Sequence, residues 1–187
     1  MLDYLAKLKK LLADISTDLT FYRQIFGSDE NVLVLRSVSN WVFANYQQCL
    51  VDAIYYKLSR LLDPKSSCGS DNLSFAYIID TYSLSDDSQI NDSLSAIKNR
   101  YESSGLKNYR NKVLSHNDAH IVLTGSQCRV DFNDEALDQF LASLWDLFGL
   151  LQYKTGEKDS ILKYSTEVLM PAEMDGETFV LKLKKCI

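Results

Sequence analysis

The sequence predicts an all-α protein, an antiparallel bundle of long helices with short extra helices. The 187 residues include only 7 glycines and 2 prolines, the residue types that most often interrupt helices and form turns. Apolar side chains also recur at steps of three and four residues over long stretches, which is the spacing of one buried helical face. A β-fold of this length would need more turn residues.

The first two helices are predicted from this spacing and from the residues that end each run. Leucine, isoleucine and tyrosine side chains mark one helical face over residues 2–26, and Gly27 follows as a C-terminal cap. A second long helix is predicted from about Asn31 to Leu62, because Pro64 cannot continue it. We expect its buried side to carry Leu35, Val38, Val42, Cys49, Ala53 and Leu61.

Polar segments separate the next predicted elements. "DPKSSCGSD" is expected to be a loop, after which Asp71 or Asn72 caps a short helix reaching Ile79. After a second polar break, Asp86 and Asp87 favour the start of a helix that runs to Gly105. A further helix is predicted from Leu106 to about Asn117.

The last third of the chain is less regular. Residues 119–133 are expected to form a loop or a small hairpin, since they hold β-branched residues and a glycine. Asn133 is a strong cap for a helix that runs to Gly156, with Phe132 packing on Leu137. In the final segment, "ETFVLKLKKCI" (177–187), apolar and polar residues alternate, and this pattern predicts a short strand or an extended tail. We therefore predict a bundle over 1–156 and a C-terminal extension over 157–187 packed on the same domain.

Composition limits the classes of function. Hydrophobic residues at 46% and charged residues at 24% are typical of a globular chain. The four cysteines form no C-x-x-C pair, so we expect free buried thiols and neither a metal nor another cofactor. The absence of any run of 18 apolar residues predicts a cytoplasmic protein without a signal peptide and without contact to a membrane.

The stretch "KNYRNKVLSHNDAH" (107–120) carries the main functional hypothesis. The residues in and around this stretch carry a net positive charge, although the whole chain has a formal charge of −5. Any contact with nucleic acid would therefore have to be local. Arg110 and Asn111 precede His116, which follows after four further residues. A guanidinium can stabilise charge on a phosphoryl group, and an imidazole can move a proton near neutral pH. Together they suit metal-independent RNA cleavage by the ribose 2′-hydroxyl.

Helix geometry connects this hypothesis to dimerisation. On a regular helix, side chains six positions apart lie roughly 9 Å apart along the axis and about 120° apart around it, so Arg110 and His116 do not share a face. A two-fold homodimer would bring two copies of the motif to one seam and form a composite cleft. Lys107, Lys112 and Asn117 are candidate RNA-binding residues beside it.

These residues resemble a known family. An arginine, a polar residue and a histidine a few positions later on a late helix are similar to the signature of the HEPN superfamily. The blocks "LSRLLDP" (58–64), "NLSF" (72–75) and "YRNKVLSHND" (109–118) resemble its abortive-infection, AbiU2-like branch. The resemblance covers residues 30 to 155.

The resemblance implies a dimeric helical bundle that acts on an RNA substrate as a metal-independent endoribonuclease, in a toxin or phage-defence role. Arg110 and His116 would then be catalytic, and Asn111 would orient the histidine or the phosphate. An antitoxin protein is a further expected partner. In related toxins a tyrosine two positions after the histidine is a modification target, whereas this chain has Asp118 there.

Other interpretations of the same residues remain. The chain could be a HEPN module that has lost turnover and serves in RNA binding or dimerisation, or a helical interaction protein with a chance motif. His116 and His120 stand four apart, as metal ligands on one helix do, but no third ligand besides Asp118 is evident. The structural alternative to a catalytic site is that His116 only ends the helix and that Arg110 only lies on its surface.

Overall fold

The computed structural model describes residues 3–116 and 118–186, and within them the fold is all-α, as predicted. One π-helical turn and one two-stranded antiparallel hairpin accompany the helices. The helices are α1 (Tyr4–Phe26), α2 (Asp29–Leu61), α3 (Phe75–Thr81), α4 (Ser88–Ser103), α5 (Leu106–Tyr109), α6 (Ala119–Thr124), α7 (Asp134–Lys154) and α8 (Gly176–Lys184). The hairpin strands are β1 (Ser66–Ser67) and β2 (Ser70–Asp71), and the π-turn is Arg110–Leu114.

The chain forms two compact units. The first contains Met1–Leu12 and Tyr55–Thr166, and the second contains Ala13–Ile54 and Glu167–Ile187. The predicted boundary at residue 156 remains a prediction.

Helices α4 and α7 run antiparallel within the first unit. Lys154, at the end of α7, lies 2.8 Å from the Asp87 carboxylate that caps the start of α4. At the other end, Arg100 donates to the Ala136 carbonyl oxygen over 3.1 Å. Their buried faces form much of this unit's core, which includes Ile90, Ile97, Tyr101, Phe140, Leu141, Leu144, Leu147, Phe148 and Leu151.

The second unit has a smaller core. Buried residues of α1, α2 and α8 meet in one cluster of Ile25, Phe26, Leu35 and Val180. Asp175 caps α8, since its carboxylate accepts a hydrogen bond from the Thr178 amide at 2.7 Å. The prediction of a strand or an extended tail here was wrong, because this cap and the burial of Val180 favour a helix.

Two further predictions were wrong in the middle of the chain. Residues 119–124 form a helix, and the only hairpin among the described residues lies in the predicted loop at 66–71. Helix α2 is broken at Ser39, which has extended backbone angles of φ −165° and ψ 96°. A single helical stripe cannot pass through such a break, and Val38, Val42 and Cys49 are exposed rather than buried.

The cysteines also differ from expectation. Cys49, Cys68 and Cys186 are exposed and Cys128 is half-buried, and all four are free thiols. They were predicted to be buried, but each lies on a polar loop, on a chain end or on the exposed side of α2. No helix in the described part of the chain combines the length and the apolar character needed to cross a bilayer.

Candidate active site

A glycine corner joins α4 to α5 and sets the direction of the motif. Gly105 has φ +80°, a left-handed conformation that favours glycine. A Cβ atom at this position would lie 2.5 Å from the carbonyl oxygen of Arg129, so the close approach also requires glycine. The amide of Asp131 donates to the Ser104 carbonyl at 2.8 Å. The loop segment at 129–131 therefore fixes this corner.

The motif itself is a π-turn rather than a regular helix. The Ser115 amide donates to the Arg110 carbonyl at 2.9 Å, a five-residue step that widens the helix. The turn ends at Leu114, so the predicted helix to about Asn117 was wrong at its C-terminal end, and Asn117 lies outside the described residues. Regular-helix geometry does not apply to Arg110 and His116, and π-turns of this kind are frequent at functional sites.

A cleft of about 360 Å³ opens beside the first turn of the motif. Three segments build it, namely the residues that directly follow α2, the last turns of α4 and the stretch from α5 into the π-turn. Two of them contribute residues at the spacing i, i+3 and i+4, which places side chains on one helical face. The lining residues are Leu62, Asp63, Pro64, Lys98, Tyr101, Glu102, Lys107, Arg110 and Asn111.

Arg110 is held at the wall of this cleft by two acceptors. Its Nη2 atom lies 3.0 Å from Oδ1 of Asp63, and its Nη1 atom donates to Oδ1 of Asn111 at 2.9 Å. The arginine side chain is 30% exposed and the aspartate side chain 21% exposed, so this pair is more protected than a surface ion pair. The Nε atom of Arg110 is buried and has no hydrogen-bond partner in the described chain. The guanidinium is therefore oriented but not fully satisfied.

Lys107 and Glu102 form an exposed pair at the rim. The two charged atoms are 2.5 Å apart. The hydrogen bond to Glu102, followed by its charge, raises the pKa of Lys107, and the same contact lowers the pKa of Glu102. Both groups thus remain charged over a wide range of pH.

Tyr101 closes the inner side of the cleft. Its side chain is 8% exposed, and burial raises the pKa of its hydroxyl, while a hydrogen bond with Ser59 and the charge of Arg110 oppose that rise. The phenol therefore stays protonated at neutral pH. The ring is too deeply buried to stack on a base.

The predicted site residues divide into two groups. Arg110, Asn111 and Lys107 line the cleft together. Lys112 is half-buried and His116 is exposed, and neither belongs to the described lining of the cleft. Within 3–116 and 118–186, the His116 side chain forms no hydrogen bond or ion pair.

Six of the nine lining residues were not predicted as site residues, and Asp63 and Lys98 are two of them. Asp63 stands directly before Pro64 in the first of the three resembling blocks, and its place in that block was the available signal. Lys98 is the first of five basic residues between positions 98 and 112, and it stands three and four positions before Tyr101 and Glu102. Only the packing of α2 against this region identifies the partner of Arg110.

The three sequence blocks that resemble the AbiU2-like branch (58–64, 72–75 and 109–118) are connected by side-chain contacts. Asp63 of the first block pairs with Arg110 of the third. The side-chain amide of Asn72, in the second block, donates to the Pro64 carbonyl at 2.9 Å. Asn72 was predicted as a possible helix cap, but Ser74 caps α3 instead. The side chain of Asn72 therefore anchors the loop that follows Asp63.

The all-α bundle and a late helical motif with an arginine at a cleft lined by charged side chains are features expected of a HEPN-type protein. A comparison with family models agrees, because the HEPN_AbiU2 model, described as AbiU2, matches residues 1–156. The chain belongs to this abortive-infection family of the HEPN superfamily. Searches of curated proteins and of solved structures returned no match.

Proposed function

We propose that this protein is a metal-independent endoribonuclease of the HEPN type, a cytoplasmic toxin or phage-defence effector that acts as a homodimer. The observation that carries the proposal is the position of Arg110 at the wall of a cleft lined by five charged side chains, in a chain of this family. A guanidinium in a partly desolvated site stabilises phosphoryl charge more strongly than one in bulk water.

The reaction follows from the chemistry of RNA. The ribose 2′-oxygen attacks the adjacent phosphorus, and the bond from phosphorus to the 5′-oxygen breaks. An imidazole takes the proton of the 2′-hydroxyl, and an imidazolium returns a proton to the leaving 5′-oxygen. His116 suits these steps because it is exposed and makes no competing hydrogen bond within the described chain. A dimer would supply the second imidazole.

Arg110 and Asn111 act on the phosphate in this scheme. The guanidinium neutralises charge that develops on the non-bridging oxygens in the transition state. Asn111 contacts Arg110 directly, so its role is to orient the arginine rather than the histidine. Lys107 would attract the RNA backbone. Lys112 and Asn117, which were predicted from the sequence, would contact the same backbone.

Cleavage of a labelled RNA in excess EDTA tests the proposal. The wild type should cut and leave 2′,3′-cyclic phosphate ends, and His116→Ala should reduce the rate at least about 100-fold. His120→Ala is the matched control, because His120 is also an exposed histidine four positions away. Expression of the wild type should be toxic to bacteria, and His116→Ala should relieve that toxicity.

One specific observation favours a second candidate function. Arg110 already has a carboxylate partner, as a purely structural arginine would. The chain would then be a HEPN module without turnover that binds RNA, dimerises or is held by a partner such as an antitoxin protein. A folded wild type that binds RNA but cuts none in the same assay would select this candidate.

A further inference from the structure

The charges that line the cleft nearly cancel. Lys98, Lys107 and Arg110 face Asp63 and Glu102, which leaves one net positive charge. Such a cleft is matched to a ligand with a single negative charge. A phosphodiester carries one negative charge, whereas a terminal phosphate carries more at neutral pH.

Lys98 differs from the other two cations. Lys107 is bonded to Glu102 and Arg110 to Asp63. Lys98 is exposed and makes no ion pair with any residue in 3–116 or 118–186. The charge of Lys98 acts on Glu102, one turn further along α4, and contributes to the lowered pKa of that carboxyl. Among the described residues that line the cleft, Lys98 is nevertheless the cation that no carboxylate holds within ion-pair distance, so we assign the net positive charge to it.

Arg110 provides a second observation that points to a ligand. Its Nε atom is buried without an acceptor, although buried donors in proteins are nearly always paired. The two hydrogen bonds to Asp63 and Asn111 use two of the five N–H donors of this guanidinium, and the Nε donor is among those without a partner in the described chain. An anionic oxygen in the cleft would be an acceptor for donors of this guanidinium that have no partner in the described chain.

We propose that this cleft is a subsite for one backbone phosphodiester of single-stranded RNA, with Lys98 as a direct phosphate contact beside Lys107 and Arg110. This inference rests on the proposed function and adds a binding residue that the motif does not contain. Leu62 and Pro64 give the cleft an apolar part suited to a ribose. Among the described residues that line it, Tyr101 has the one aromatic ring and is buried, so the subsite contacts the backbone and not the base.

Binding of an RNA that cannot be cut tests the subsite separately from catalysis. The probe is a fluorescein-labelled 2′-O-methyl oligonucleotide, which lacks the nucleophile, and its anisotropy is measured at several KCl concentrations. Lys98→Ala should weaken binding about fivefold and reduce the slope of log K against log salt by about 0.7, the value for one phosphate contact on a single strand. Lys98→Arg should restore both.

Lys10→Ala is the matched control. Lys10 is an exposed lysine on α1 in the same compact unit, so its loss changes the net charge equally without touching the cleft. An unchanged salt slope in Lys98→Ala, or an equal change in Lys10→Ala, would overturn the subsite.

Cleavage of unmodified RNA is measured in parallel. A wild type that binds through Lys98 but does not cut would retain the subsite and refute the ribonuclease proposal. A wild type that cuts, but whose binding does not depend on Lys98, would refute the subsite alone.

Discussion

The Nη2 atom of Arg110 lies 3.0 Å from Oδ1 of Asp63, a residue 47 positions earlier in the chain. This contact joins the end of α2 to the π-turn and determines which wall of the cleft carries the guanidinium. Because Asn111 accepts a hydrogen bond from the other terminal nitrogen, the arginine is oriented by one neighbour in sequence and by one distant residue.

Replacing Asp63 by asparagine should separate RNA binding from turnover. Asp63→Asn removes a negative charge from the cleft, so KM for RNA should fall about threefold. The guanidinium loses its charged anchor, so kcat should fall about tenfold. Steady-state kinetics on a labelled RNA measures both constants.

Asp80→Asn is the control for that variant, since it removes an exposed ion pair with Lys65 in the same unit. It should leave kcat and KM unchanged. Equal losses in the two variants would show that Asp63 acts only on stability.

Loss of the Asn111 side chain should lower activity without unfolding the protein. Asn111 is exposed and holds Arg110 by one hydrogen bond. Asn111→Ala should therefore reduce kcat about tenfold through a less well positioned arginine. Asn108→Ala, on the same helical segment but bonded to Cys128, should leave kcat unchanged. A full-rate Asn111→Ala enzyme would contradict the assigned role.

The glycine corner should be sensitive to any side chain. Gly105→Ala combines a left-handed φ with a steric clash against the Arg129 carbonyl, so we expect it to lower the free energy of unfolding by about 3 kcal/mol. Gly125→Ala is the matched control, since Gly125 also has a positive φ of 65° but open space around it. It should cost only about 1 kcal/mol. Urea denaturation followed by circular dichroism measures both, and equal losses would exclude the clash.

Acid stability should depend on the cap of α4. The hydrogen bond from Lys154, followed by that from the Ile90 amide, lowers the pKa of Asp87 in the folded protein. A lowered folded pKa means that the stabilisation is present above the pKa of the unfolded chain, near 3.8, and is lost as pH falls through the folded value. Asp87→Asn keeps a capping side chain but removes the charge.

The measurement is the free energy of unfolding between pH 7 and pH 2. Asp87→Asn should flatten the acid limb of that curve relative to the wild type, while Asp86→Asn, at the exposed neighbouring position, should leave it unchanged. An acid limb of wild-type steepness in Asp87→Asn would show that the ion pair with Lys154 contributes nothing.

Caps and periodicity were predictable where they depend on neighbours in sequence. Asn133 caps α7 as predicted, with its side-chain oxygen 2.7 Å from the Ala136 nitrogen. Phe132 was expected to pack on Leu137, and that contact remains a prediction, while the structure places its ring against that of Phe140, with 5.2 Å between the ring centroids. The cap could be predicted because it depends on only four consecutive residues, from Asn133 to Ala136. The ring contact could not, because two apolar side chains on consecutive turns compete and packing selects between them.

The sequence by itself determined that the chain is helical, that it carries the HEPN blocks, and that Arg110, Asn111 and Lys107 are candidates for one site. These properties follow from local spacing, composition and motif. Only the tertiary structure decided that Asp63 orients Arg110, that Lys98 faces the same cleft, and that the motif widens into a π-turn. The physical reason is that a helix fixes only positions within a turn or two, whereas contacts across 47 residues depend on how separate elements pack.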